Sequence, residues 1–335
     1  MFENHKIVCV TPAGRRRFMR LLVPQVLASP IVDRYDIWMN TPDAGDVAFL
    51  EGVARLDPRV RLVRHPEGRP PAIESIGRFH VTACDPDTIY IRLDDDVVWL
   101  EPGFFDKLLR FRIDHPDYFM VMPLIINNAL CSFQLQILGK IAPTQYVRAA
   151  CMDEFGWRDP YLALGLHKLL LDLIAKGETN RLHLPPREIA LNRFSINALS
   201  WFGRDLAPVV DQIGEQEEED LSVVIPARLG KRNCFCGDTI AAHYAFIFQR
   251  DKIERSGILA EYARVVTERP DLRELCARVD EVCRAADGAS GKSHMPGLYQ
   301  QQKVPMSTKL RVWWRARPWR KQWKPKAFVN PGPAL

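Results

Sequence analysis

Along the first 125 residues, short runs of apolar and β-branched side chains alternate with longer stretches in which apolar positions recur every three to four residues. These two periods belong to strand and helix respectively. Lys6 to Val10, Tyr35 to Met39, Val60 to Val63, Thr88 to Leu93 and Tyr118 to Met122 read as strands, and residues 15–28, 43–56, 72–84 and 103–114 as helices. Pro102 opens the last of these near its first turn, where proline forfeits no hydrogen bond. Pro24, inside the first helix, is expected to kink or shorten it. Such alternation predicts an α/β fold with a mostly parallel sheet flanked by helices, followed by a C-terminal helical segment over residues 251–285, a Gly, Ser, Gln and Pro-rich linker over 286–308 and a basic tail.

In a parallel sheet of this kind the ligand lies beyond the carboxyl ends of the strands, so the residues that follow each strand are the ones to inspect. They are Thr11-Pro12-Ala13-Gly14-Arg15, Asn40-Thr41, Arg64-His65-Pro66 and Asp94-Asp95-Asp96. Composition adds little, since 47% hydrophobic and 26% charged residues in a 335-residue chain are ordinary globular values. Charge adds more: the net +5 is concentrated in residues 309–326, which hold eight cations and no acid, while the rest of the chain is mildly acidic. The N-terminus shows no basic-then-apolar signal pattern, Phe2 excludes N-myristoylation, and the apolar runs are too short to span a bilayer. The eight cysteines are scattered, several in apolar segments, which fits a reducing, cytoplasmic setting.

Asp94, Asp95 and Asp96 end an apolar strand. Alternate residues of extended chain share a face, so Asp94 and Asp96 are expected to point one way and Asp95 the other. Two carboxylates on one face suit a divalent ion such as Mg²⁺ or Mn²⁺ together with substrate phosphates. The alternative is a helix cap or an ordinary turn, since Asp is common at both. Repulsion among three adjacent acids at the end of a buried strand is relieved by a cation or by exposure.

Strand, Asp94-Asp95-Asp96, a short apolar stretch, Pro102-Gly103 and a helix together resemble the Asp-x-Asp region of bacterial-type GT-A nucleotide-sugar glycosyltransferases. The βαβ alternation before it resembles their nucleotide-binding half, and the resemblance spans about residues 5–250. It implies a catalytic domain over residues 1–250, with 1–125 binding the nucleotide sugar and 126–250 supplying the acceptor and catalytic half. The resemblance further implies that Asp94 or Asp95 meets the donor ribose or phosphate, that Asp96 holds Mn²⁺ or Mg²⁺ with Asp94 as a further ligand, and that Thr11, Pro12 and Arg15 hold base and phosphate. Asn40 falls where these enzymes often carry an acid for the base or ribose, which leaves the base open. Arg78 sits where a basic side chain meets the diphosphate, and a solvated helix arginine is the other reading.

Glu217-Glu218-Glu219-Asp220-Leu221 resembles the Glu-Asp-x-x-Leu segment that supplies the catalytic base in inverting members, with Glu218 or Asp220 as the base according to register. A solvated acidic helix start has the same composition. His243, in an otherwise apolar stretch, resembles the late histidine that completes the metal site. Trp201 stands ready either to stack on a sugar ring or to pack in the core.

The implied activity is hexosyl transfer from a nucleotide sugar to a saccharide, lipid-linked or protein acceptor. Alternatives are a sugar nucleotidyltransferase, disfavoured by the single glycine in the loop after the first strand, and a non-enzymatic membrane- or nucleic-acid-binding module. Residues 309–326 also carry four of the eight tryptophans. Trp among Lys and Arg suits an anionic membrane surface, here the inner face of a membrane, but also nucleic acid or docking on the catalytic domain.

Overall fold

β1, Lys6–Ala13, is buried at every position after Lys6. A strand so enclosed belongs in the middle of a sheet with both faces covered. In the computed structural model, which describes residues 1–142 and 146–289, β1 pairs in parallel with β2 (Arg34–Met39) on one side and β4 (Thr88–Leu93) on the other, and β2 pairs in parallel with β3 (Val60–Val63). The helices α1 (Arg16–Leu27) and α2 (Ala44–Leu56) make the crossovers between them. Asp43 caps α2 by accepting the Asp46 N–H at 2.9 Å, the N-cap role that favours Asp.

The chain continues through β5 (Val97–Leu100), α3 (Phe104–Asp114), β6 (Val121–Ile126), α4 (Ala129–Ile137), α5 (Pro160–Lys176), β7 (Arg187–Ile189), β8 (Ala198–Phe202) and β9 (Asn233–His243). The nine strands form one sheet in the order β3-β2-β1-β4-β8-β6-β9-β5, with β7 also on β9. β8 is antiparallel to both β4 and β6, and β6 is parallel to β9, so β1, β2, β3, β4, β6 and β9 share one direction. The remaining strands β5, β7 and β8 oppose them, and the sheet is mostly parallel as expected.

Five expectations change in detail, the first being that β1 runs on to Ala13, so that Thr11 to Ala13 lie within the strand and not after it. Pro24 does not break α1, which runs on to Leu27; the residue lies in the last turn, and its carbonyl still accepts the Ala28 N–H at 2.9 Å. The segment read as a helix over 72–84 is a 3₁₀ helix, Ile73–Thr82. The strand expected at Tyr118 to Met122 begins later and ends at Ile126. The C-terminal helical segment is three helices, Arg250–Glu254, Ile258–Glu268 and Arg273–Ala289. The first break falls at Gly257, whose φ of 80° is left-handed, and the second at Arg269-Pro270, because a residue before proline avoids helical backbone. The last helix runs into the region read as linker. The remainder of that linker and the basic tail 309–326 lie outside the described residues.

Trp38, Trp99 and Trp201 are among the largest side chains enclosed in the core. Among the described residues all eight cysteines are free thiols, and no helix is long and apolar enough to cross a membrane.

Candidate active site

Because the six co-directional strands end at one edge of the sheet and the opposed β8 begins there, residues far apart in sequence meet along that edge. These are Gly14 and Arg15 after β1, Asp94–Asp96 after β4, Asn127 after β6, His243 at the end of β9 and Asn197 before β8. The Asp94 N–H donates to Asn197 O at 2.8 Å and the Tyr244 N–H to Asp96 O at 2.9 Å, which ties the acidic segment to the start of β8 and the end of β9.

The chain turns immediately after β4, with the Val97 N–H donating to Asp94 O at 3.0 Å. The alternation expected of extended chain therefore does not apply, and the three acids divide differently. Asp94 accepts from Arg92 Nε at 3.1 Å and from Asn197 Nδ2 at 3.2 Å. Asp95 and Asp96 converge on Arg15, whose Nε donates to Asp95 at 3.0 Å and whose Nη1 lies 2.9 Å from Asp96 Oδ2. The Gly14 N–H adds a bond to Asp95 at 3.0 Å. Mutual repulsion of the acids is thus relieved largely by the protein's own guanidinium groups.

His243 Nδ1 lies 3.1 Å from Asn127 O. A carbonyl only accepts, so Nδ1 carries the proton and in the neutral ring Nε2 presents a lone pair. That lone pair faces Asp96 Oδ1 at 3.5 Å. Two electron-rich atoms facing one another in this way are suited to hold a cation or a proton between them. The expected trio of Asp94, Asp96 and His243 is not assembled: Asp94 is held by Arg92 and Asn197, and among the described residues no three His, Cys, Asp or Glu side chains are placed for a metal. Asp96 and His243 do come together. One carboxylate and one imidazole fit Mg²⁺ or Mn²⁺ if substrate phosphate oxygens and water fill the remaining positions.

Burial alone would raise the pKa of Asp96, but Arg15, His243 and Arg250 hold its carboxyl far below the ordinary range. Asp95 goes the other way: burial raises it despite Arg15. Burial opposes the charge on Arg15, and Asp95 and Asp96 more than offset that, so the guanidinium is held firmly protonated.

The acidic run divides as well. Glu217 reaches the triplet through Arg92, whose Nη1 donates to it at 3.0 Å while the same guanidinium holds Asp94. Glu218 accepts from Arg193 Nε at 3.1 Å and interacts with Ser195, whose carbonyl accepts from Asn128 beside Asn197. Glu219 is exposed and pairs with Arg193, and Asp220 caps the Gly214 N–H at 2.9 Å. Burial raises the pKa of both Glu217 and Glu218.

Other expected residues are engaged elsewhere. Thr11 is fully buried and accepts from the Tyr35 hydroxyl at 3.0 Å, and Pro12 is buried within β1, so neither side chain is presented to a nucleotide. An all-buried strand turns these positions inward whichever face they occupy. Asn40 clamps Ala72, accepting its N–H at 3.0 Å and donating to its carbonyl at 3.1 Å. Arg78 pairs with Glu67 at 2.7 Å. Trp201 is a core residue: it is enclosed, donates from Nε1 to Ala83 O at 3.0 Å and stacks on Tyr90. Its place on a central strand, β8, removes it from any sugar.

Four residues at this edge escaped sequence reasoning. Arg92 and Asn197 carry no motif. Arg250, which opens the short helix Arg250–Glu254 after β9, has its Nη2 at 3.8 Å from Asp96 and a buried Nε without a partner. Asn127 adopts a left-handed φ of 62°, which Asn tolerates better than most residues, and donates to Tyr244 O at 3.1 Å and Gln249 Oε1 at 2.9 Å. It fixes both the His243 ring and the turn that leads into Arg250. Asn127 follows directly on the end of β6 at Ile126, beyond the strand end that the apolar pattern predicts at Met122.

No family model and no curated protein matches the chain. Among solved structures, glucosyl-3-phosphoglycerate synthase from Mycobacterium tuberculosis, crystallised with Mn²⁺, UDP and glucosyl-3-phosphoglycerate, is 15% identical with a TM-score of 0.42, covering 87% of this chain and 81% of that one. The 4-diphosphocytidyl-2C-methyl-D-erythritol synthase from Anaerococcus prevotii is 9% identical with a TM-score of 0.43, covering 77% of this chain and all of that one. Likeness at this level carries no functional argument, and the reading below rests on the site.

Proposed function

We propose that the protein is a metal-dependent glycosyltransferase that moves a sugar, with inversion, from a nucleotide-sugar donor to a saccharide, lipid-linked or protein acceptor. The observation that carries this reading is the meeting, at the carboxyl edge of a mostly parallel sheet, of Asp96 with His243 and of the Asp94–Arg92–Glu217 chain. Asp96 and His243 would hold Mg²⁺ or Mn²⁺, which when bound neutralises charge on a departing diphosphate. Asp94 and Asp95, each fixed by an arginine, line the same edge and would meet the donor. Glu218 is the base in this reading. Its side chain is 24% exposed against 12% for Glu217, so it can reach an acceptor hydroxyl, and the burial that raises its pKa makes it a better proton acceptor. Glu217, neutralised by Arg92, orients. The basic tail at 309–326 would attach the enzyme to an anionic membrane surface.

The test is a screen of UDP-, GDP- and CMP-sugars for binding and turnover with and without Mn²⁺, followed by E218Q. Metal-dependent binding of one donor is expected. E218Q is expected to keep that binding and lose transfer by a factor of about 10² to 10⁴, the usual worth of a general base. Binding of no donor ends the proposal, and full transfer by E218Q reassigns the base.

A further inference from the structure

Building on the proposed transferase reading, we infer that the site recognises a metal–diphosphate complex rather than the free divalent ion, and that Arg15 enforces this by occupying the carboxylates in the absence of ligand. Asp95 and Asp96 are together bonded by one guanidinium, with Arg15 Nε 3.0 Å from Asp95 and Nη1 2.9 Å from Asp96. Arg250 stands 3.8 Å from the same Asp96 oxygen that Arg15 holds. Two carboxylates and two guanidiniums make this corner of the site neutral before anything binds. A bare divalent ion therefore meets no net attraction and is repelled at short range by two fixed cations.

A diphosphate changes that balance. It brings several negative charges and multiple acceptor oxygens, which give the ion its missing ligands and give the guanidiniums new partners. Arg250 has donor capacity for them: its Nε is buried and unpartnered, and its Nη2 makes one long hydrogen bond, to Ala245 O at 3.4 Å, beside the 3.8 Å approach to Asp96. Arg15 can exchange Nη1 from Asp96 to a phosphate oxygen while Nε stays on Asp95. Metal and diphosphate are thereby coupled, each tightening the other by the same factor. Arg15 thus acts both on the carboxylates, one of which it releases to the ion, and directly on the diphosphate.

The coupling is measured on the full chain without turnover, by the loss of the free Mn²⁺ paramagnetic resonance signal. Mn²⁺ is titrated alone, then in the presence of whichever nucleoside diphosphate the donor screen selects, with an enzyme-free control for the Mn²⁺ that the nucleotide itself binds. Wild type is expected to hold Mn²⁺ at least tenfold more tightly with the diphosphate than without. R15Q is expected to bind Mn²⁺ alone about tenfold more tightly than wild type and to lose most of the coupling, and R15K, which cannot bridge both carboxylates, to fall between.

Equal Mn²⁺ affinity of wild type with and without diphosphate overturns the inference, whether or not R15Q folds. So does a folded R15Q that binds Mn²⁺ alone no better than wild type. Failure of the underlying transferase reading is a different result, in which wild type binds none of the nucleotide sugars or nucleoside diphosphates at all, with or without Mn²⁺.

Discussion

His167 shows how a single side chain couples this fold to pH. It is fully enclosed in α5, with Nε2 2.9 Å from Tyr244 O and Nδ1 2.9 Å from the Tyr262 hydroxyl, so the neutral ring donates from Nε2 and accepts at Nδ1. Burial pushes its pKa down to about 4. The unfolded chain titrates near 6.5, so below that pH the unfolded state binds the extra proton and stability falls until the folded ring itself protonates near 4. Across this window the slope is about 1.4 kcal/mol per pH unit. His80, pushed down to about 3 by burial and by Arg92, adds a loss of the same sign. Urea unfolding of H167Q is expected to show a pH dependence between about 6.5 and 4 that is flatter than wild type by one proton. An unchanged slope would mean that His167 is charged in the folded protein. At this scale the sequence singles out acids and a late histidine that do meet at this edge, Asp96 with His243, but not their partners. Arg92 lies two residues from Asp94 and 125 from Glu217, and nothing local in the chain marks it as the link between them.

At the scale of elements, the helix Arg273–Ala289 packs against α2 closely enough that a Cβ on Gly52 would stand 2.3 Å from Val282 Cγ1. Gly52 is therefore held by contact rather than by backbone conformation. G52A is expected to destabilise the protein by about 1–3 kcal/mol, the usual penalty of overpacking. Pairing it with V282A should recover most of that, because the shortened side chain vacates the space. Thermal melts of the two single variants and the double variant check this, and additive losses would show that the two helices do not meet at these positions. Nearby, Arg16 joins α1, α2 and the last helix through Asp46 at 2.7 Å and Asp287 at 2.9 Å.

Most elements were legible because strand and helix each impose their own period on burial. The exceptions are instructive. The 3₁₀ segment Ile73–Thr82 has apolar spacing that also suits an α-helix. β6 begins later and ends later than its sequence predicts, because Tyr118 to Ile126 is one long run of mostly apolar residues in which period alone does not mark the ends.

For the molecule as a whole, the proposed membrane role of the tail makes a prediction that the body of the protein does not affect. Eight cations within 309–326 should give strong, salt-sensitive attraction to anionic lipid, since each cation near such a surface contributes about 1 kcal/mol. The full chain is expected to co-sediment with vesicles containing phosphatidylglycerol at low salt and to be released at high salt, whereas a chain ending at residue 289 should stay in solution. Equal sedimentation of both would remove the tail from any membrane role.

What the sequence by itself determined is the alternation of strands and helices through β4 and the stretches that hold Gly14, Arg15, Asn40 and Asp94–Asp96 beyond those strands. These are encoded in burial periods a few residues long, and any window of the chain reveals them. Only the tertiary structure decided which side chains share a site. The turn at Asp94–Val97 sent the three acids in two directions, the parallel strands delivered Arg15 and His243 to the same edge, and the all-buried β1 and β8 withdrew Thr11 and Trp201 into the core. The physical reason is range: backbone periodicity is a local property, whereas the partner of a charge depends on where separate segments of the chain end once the sheet has assembled.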